Sequence, residues 1–363
     1  MRDGADRVDV PYLWPATLRV PSRPPKLVYL DLLHWIQLAK AMAGHSDGAS
    51  TREALAECLA ARQDGRALFP IADAIYIEVL KIARHRQRRD IRRAIEALSG
   101  YYVVTSRPTI AHHEVERMLD QFVGRSRRPI NTMDYVAWGV ARAFGRVGGF
   151  RIRRDTGEDI TGEVRTSWPQ GSEAFDGLLA SAELMLQRQT LDGPASPQEE
   201  QSLRECGWEP NGAATISEKR ALQEIEQVER FKADPRWRSG RIRDVVAARE
   251  VLIEINEMLS AGLADRGATL DDVFDSPQVM RRRLDVMPSF DVSVTMKTEY
   301  HRDPNHRWTT NDIHDIDALA STLPYCDIVV TDRAVAAHAN RSGLAERLNT
   351  VVVARLSDMV EHL

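Results

Sequence analysis

Carboxylates crowd one stretch near the C-terminal end of this chain. NDIHDIDALASTLPYCDIVVTD, residues 311–332, sets Asp312, Asp315, Asp317, Asp327 and Asp332 around an apolar helix pattern and an apolar strand pattern. With Thr310 or Asn311 as cap and Pro324 beyond its end, the helix lays Ile313, Ile316, Leu319, Ala320 and Leu323 along one stripe at 3.6 periodicity. Asp312 falls inside that stripe at the first turn and Asp315 at its border, where an unpaired carboxylate is costly. Asp332 ends the strand run IVV, just as Asp31 ends the run in KLVYLD. The carboxyl ends of parallel strands are where open α/β sheets hold their ligands. Aspartates gathered there repel one another, and a divalent cation is the species that turns such repulsion into binding.

A fourth acid stands out in FPIADAIYIEVLKIA, where Glu78 lies amid Ile75, Ile77, Val79, Leu80 and Ile82. Two readings compete for it. In one, Asp73 caps the helix and Glu78 reaches a basic neighbour such as Lys81; in the other, Glu78 joins the aspartates.

The elements that must position these acids alternate. KLVYLD (26–31) reads as a strand and LLHWIQLAKAMAG as an amphipathic helix ending at Gly44; STREALAECLAARQDG reads as a second helix, from a Ser50 cap to a Gly65 stop. The strand-like ALFPIA precedes a long helix from near Asp73 through AIYIEVLKIARHRQRRDIRRAIEALSG, and YYVVT (101–105) follows as a strand. The C-terminal part repeats the alternation: a helix over 312–323, the strand DIVVTD, the helix AVAAHANRSGLAERL and the strand TVVVARL. Such alternation predicts an α/β fold, a parallel sheet with helices on its faces. Between about 110 and 300 the texture is Gly- and Arg-rich loops and long helical patterns, which predicts a helical insertion within a core made from both ends of the chain.

These residues resemble a known family, the PIN-domain nucleases: an Asp ending the first strand, a Glu in an early apolar helix, an Asp beginning a late helix and a T-D ending the next strand. The arrangement is similar to the larger bacterial PIN-like proteins, although Leu33 stands where many members carry Asn, and TD replaces TxD. The resemblance implies a Rossmannoid PIN-like core over 26–110 and 300–363 with a helical insertion over 111–299. It implies Asp31, Glu78, Asp315 and Asp332 as the catalytic acids and ligands of Mg²⁺ or Mn²⁺. Asp312 and Asp327 are expected to back them or hold a second ion, and Thr331 to hydrogen-bond nearby. Such a cluster lowers the pKa of a bound water and stabilises the leaving 3′-oxygen of a phosphodiester without a protein nucleophile. The expected activity is a metal-dependent endoribonuclease; a structure-selective DNA nuclease and a non-catalytic scaffold binding RNA or protein are the alternatives.

Substrate contacts are expected from basic residues. KIARHRQRRDIRR (81–93) brings Arg88, Arg89, Arg92 and Arg93 onto the helix that carries Glu78, and RSRR, RIRR and RRR occur at 125–128, 151–154 and 281–283. TEYHRDPNHRW (298–308) has a composition suited to stacking on unpaired bases and contributes Arg302. His34, three residues after Asp31, and Arg333, next to Asp332, complete the expected phosphate contacts.

Composition excludes several classes. The 363 residues carry a formal net charge of −4, so nucleic-acid contact must be local rather than spread over the surface. No apolar run approaches the roughly 20 residues of a membrane span, and the start has no secretory apolar core. Three unclustered cysteines, Cys58, Cys206 and Cys326, argue against disulfides and a zinc site and for a reducing cytoplasm. GRVGGF is no dinucleotide fingerprint, no phosphate-loop or GxSxG motif occurs, and HHE at 112–114 lacks metal-binding spacing and reads as surface. A protein regulator or self-association fits the helical insertion.

Overall fold

The computed structural model describes residues 25–125, 132–146, 149–207, 212–237 and 240–363. It is an α/β structure in which helices flank a four-stranded parallel sheet. The first strand, β1 (Lys26–Leu30), lies buried from Leu27 onward. The chain leaves it through α1 (Leu32–Met42) and α2 (Arg52–Gln63) to reach β2 (Ala67–Leu68), which pairs with one side of β1. The other side of β1 is taken by β5 (Ile328–Val330), followed by β6 (Val351–Val353), so the sheet order is β2-β1-β5-β6. These strands are short and almost wholly apolar, as strands covered on both faces are.

The strand order reverses between β1 and β5. Leu30 pairs with Val330, and the Asp31 N–H donates to the Val330 carbonyl at 2.9 Å. The chain therefore leaves both strands side by side at their carboxyl ends, the crevice in which open parallel sheets bind ligands.

Three expectations about local structure change. The long helix breaks into α3 (Asp73–Leu80) and α4 (His85–Ser99), with Lys81–Arg84 between them. Three apolar side chains of α3, Ile75, Tyr76 and Val79, are already buried, and the chain must turn before α4 can bury Ile91, Ile95 and Leu98. YYVVT supplies β3 (Tyr102–Val104), but its partner is the antiparallel β4 (Val136–Trp138) rather than the main sheet. On its other side Val104 N–H donates to the Ile71 carbonyl and Ile71 N–H to the Tyr102 carbonyl, so this edge is tied by one parallel bridge to the segment just after β2. AVAAHANRSGLAERL is interrupted at Gly343, whose φ of 72° belongs to the left-handed region that a side chain disfavours.

The helices between the sheet's two halves build a second apolar cluster, with Phe231, Ile242, Val246, Ile255 and Leu259 among its members. The expected boundaries near 110 and 300 both fall inside helices that feed both clusters. One is α5 (Arg107–Phe122), giving Ile110 to the sheet core and Val115, Met118 and Leu119 to the helical one. After α6 (Ser172–Asp192) and α7 (Gly212–Ala233) comes the other, α8 (Pro288–Arg302), which gives Val292 and Met296 to the sheet core and Phe290 and Val294 to the second. Next follow α9 (Thr310–Thr322) and, beyond β5, α10 (Arg333–Arg341).

A buried ionic network pins α9 to the helical layer. Asp317 accepts from Arg107 of α5 and Arg220 of α7, Arg107 also meets Glu250, and Lys297 of α8 bridges Glu250 and Glu224 at 2.7 and 3.1 Å. Every charge there has an opposite partner, the condition under which ions survive desolvation. Among the described residues, no helix is long and apolar enough to cross a membrane.

Candidate active site

Asp31 and Asp332 occupy equivalent positions, each the residue that caps the helix after a strand. Asp31 Oδ1 accepts from the Leu32 N–H at 2.6 Å, and Asp332 Oδ1 accepts from the Ala334 and Val335 amides at 2.7 and 3.0 Å. These bonds satisfy amides that a helix start leaves orphaned, so both carboxylates are held in fixed orientation at the strand ends. Burial raises the Asp31 carboxyl above its ordinary value; the Leu32 amide, the His34 ring and Thr331 oppose this, while the Asp332 charge adds to it.

Glu78 and Asp315 come from α3 and α9. Both are half-buried, and among the described residues neither side chain has a hydrogen bond or ion pair. Burial, then the charge of Asp31, pushes Glu78 up to about 7, with Lys81 pulling the other way. Asp315 is pushed up to about 8, first by burial and then by Asp31, Glu78, Asp332 and Asp312. Its field thus contains all three of the other expected ligands. Tyr29 of β1, buried, has its hydroxyl raised by burial and then by Asp31, Glu78 and Asp315, and Tyr300 of α8 is raised by burial and then by Asp315, Asp312 and Asp332. Two buried tyrosines thus feel the same acids.

Acids from four separate elements therefore share one electrostatic neighbourhood. Among the described residues, no three His, Cys, Asp or Glu side chains are arranged so as to hold a metal ion. The oxygens are of the hard type that suits Mg²⁺ or Mn²⁺, and Glu78 and Asp315 have no partner among the described residues to give up.

Other expected site residues are placed elsewhere or do other work. Asp312 forms a capping box with Thr309, which is the true N-cap: Oδ2 accepts from the Thr309 amide and hydroxyl at 2.6 and 2.8 Å. Burial opposes ionisation of Asp312, but His306 and Thr309 hold it below the usual carboxylate range, so its oxygens serve the helix start. Asp327 precedes β5 at the amino edge of the sheet, where Oδ2 accepts from the Leu27 N–H at 2.7 Å. A strand of three residues, about 10 Å, separates it from the Asp332 end, so it cannot act in the crevice.

His34 is only 1% exposed; Nε2 lies 3.3 Å from the Thr331 carbonyl and Nδ1 3.4 Å from Gln37 Oε1. It braces the turn between β5 and Asp332 instead of meeting a phosphate. Thr331 is buried as well, and it stands beside Asp31, whose carboxyl it helps to hold down.

The arginine helix is largely structural. Arg88, 6% exposed, donates to the carbonyls of Ile82, Asp192 and Pro194 at 2.6, 2.6 and 2.5 Å, stapling the α3–α4 break to the end of α6. Arg92 is taken by Asp192 and Glu96 at 3.0 and 2.7 Å. Arg302 pairs with Glu299, while Arg89 and Arg333 are exposed to solvent. The expected base-stacking segment packs on itself: the rings of Tyr300 and His306 stack at 4.5 Å, with Trp308 and His338 edge-on to Tyr300. Glu114 of HHE is buried too, accepting from the Ser289 hydroxyl at 2.6 Å and from Tyr325. RSRR extends beyond the described residues, which stop at Arg125 and resume at Thr132.

Two residues near the site went unsingled by sequence reasoning. His314 is buried, with Nε2 2.8 Å from Ser217 Oγ and Nδ1 3.4 Å from Lys81 Nζ, and burial followed by the Lys81 charge takes it down to about 4. Tyr29 was hidden as one more residue of an apolar strand. Comparison of the chain with protein-family models, with curated proteins and with solved structures finds no match in any of the three.

Proposed function

We propose that this chain is a divalent-cation-dependent nuclease of PIN-like design, acting on RNA. The observation that carries the reading is Asp315: a half-buried carboxyl, unpartnered among the described residues, in the combined field of Glu78 and of Asp31 and Asp332, which follow the paired strands β1 and β5. A fold gains nothing in stability from such a cluster. An ion that binds there converts the cost into affinity.

Asp31, Glu78, Asp315 and Asp332 would hold Mg²⁺ or Mn²⁺. The bound ion would acidify a water and neutralise charge on the phosphodiester. The remaining work belongs to the chain. The helix caps fix Asp31 and Asp332, and Asp332 satisfies both amides through a single oxygen. His34 holds the Thr331 carbonyl, which sets the direction in which the chain enters Asp332. Asp317 and its two arginines lock α9 and with it Asp315, two residues away. Arg333, exposed beside Asp332, is available to a phosphate on the solvent side.

The test pairs cleavage with binding. Structured and unstructured RNA, single-stranded DNA and flapped DNA are each offered with Mg²⁺ or Mn²⁺. Asp315→Asn should abolish cleavage and leave RNA binding intact or tighter, since losing a negative charge does not weaken phosphate contact. Cleavage of DNA alone would replace the RNA substrate. Activity unaffected by both Asp315→Asn and EDTA would refute the reading.

A further inference from the structure

We infer that Lys81 is a substrate-contacting residue of this site, its ammonium held by His314 to meet a non-bridging oxygen of the scissile phosphate; the inference rests on the nuclease reading above. A phosphodiester entering four carboxylates meets repulsion, and a cation fixed beside them offsets it. Lys81 directly follows α3, three residues after Glu78, and its charge is felt at that carboxylate. Yet no ion pair joins the two, so neutralising Glu78 is not what positions the lysine.

What positions it is the ring of His314, with Nδ1 3.4 Å from Nζ. An ammonium only donates, so Nδ1 must be the acceptor and carry no proton. The ring hydrogen is then on Nε2, 2.8 Å from Ser217 Oγ. Ser217 of α7, His314 of α9 and Lys81 after α3 thus form one hydrogen-bonded line across three helices. The ring uses one of three ammonium hydrogens and leaves two for another acceptor. A free lysine loses rotamer freedom on being held, and the contact with His314 restricts Lys81 before substrate arrives. Lys81 is exposed, so a substrate can reach it; His314 is buried and acts only through the lysine. No bond to either residue forms or breaks: the ammonium hydrogen-bonds an oxygen whose negative charge grows in the transition state.

The experiment compares wild type with Lys81→Met, Lys81→Arg and His314→Ala in the full chain, measuring kcat and KM for cleavage and, separately, Mn²⁺ affinity by calorimetry. Lys81→Met should lower kcat by about 100-fold, the scale for removing one donor to developing charge, with KM changed little. Its Mn²⁺ affinity should hold or rise, because a cation beside Glu78 has been removed. Lys81→Arg should recover part of kcat, and His314→Ala should lower kcat with the lysine still present. Wild-type kcat in Lys81→Met would overturn the inference and leave the nuclease standing. Loss of Mn²⁺ affinity in step with rate would overturn it as well, by making Lys81 a structural prop of the acids. A wild-type protein that neither binds Mn²⁺ nor cleaves any substrate would bring down the nuclease reading and the lysine's role together.

Discussion

Replacing Glu78 by Gln removes a charge and almost no volume, and the structure dictates how stability should respond. The Glu78 carboxyl moves from an ordinary 4.5 up to about 7, chiefly through burial. A carboxyl raised in this way favours its neutral form in the fold. Its contribution is intact below 4.5 and is lost as pH rises through about 7. At about 1.4 kcal/mol per tenfold change in proton affinity, the full loss by pH 8 is roughly 3 kcal/mol, against under about 1 kcal/mol at pH 5. Glu78 is partly open to water, so screening reduces the expected difference between the two pH values to about 1–2 kcal/mol. Glu78→Gln does not titrate. In urea unfolding with EDTA present, its stability relative to wild type should therefore improve by that amount from pH 5 to pH 8. With millimolar Mn²⁺ at pH 8 the order should invert, since wild type gains binding energy that the variant has lost. A difference that is the same at both pH values, or that moves against the variant as pH rises, would refute the claim that Glu78 is a buried and uncompensated acid.

Asp332→Asn keeps a good N-cap and loses a charge, so metal-free stability should change by less than about 0.5 kcal/mol while the rise in Tm with Mn²⁺ disappears; thermal melts with and without the ion read both. Arg88→Met strips the clamp from the α3–α4 break and should cost about 2–4 kcal/mol in urea unfolding, with Mn²⁺ affinity in the folded protein unchanged in calorimetry. Asp327→Ala should cost about 1 kcal/mol through its lost bond to Leu27 and leave kcat at the wild-type value, separating the amino edge of the sheet from the crevice.

The strands and the main acids were legible because their signals are local. KLVYL and IVV are apolar runs ended by Asp, and a residue after a parallel strand has few places to go except the crevice. The oddity of Glu78 was visible for the same reason, as a charge in an apolar helix. The roles of the arginines were not. Whether Arg88 faces solvent or backbone carbonyls depends on Asp192 and Pro194 at the end of α6, about 100 residues away, and nothing in RHRQRRD encodes that. Asp312 was misread by one structural detail: with Thr309 as N-cap its carboxylate folds back onto the helix start. Asp327 and Asp332 look alike flanking one strand, but a strand has two ends and only one faces the crevice. His314 gave no signal because its importance lies in a lysine more than 200 residues earlier.

The pairing of β1 with β5 joins residues about 300 positions apart, with Leu27 bonded to Asp327 and Asp31 to Val330. On the ribosome this is a timing device. Asp31 and Glu78 emerge early, but the strand that completes the crevice follows roughly 15–60 s later at ordinary elongation rates of about 5–20 residues per second. Until then β1 has only the two-residue β2 beside it, and neither Asp315 nor Asp332 has been made. A chain released before β5 carries Asp31 and Glu78 without the strand that pairs with β1, so the junction at the strand ends forms only once synthesis has passed β5.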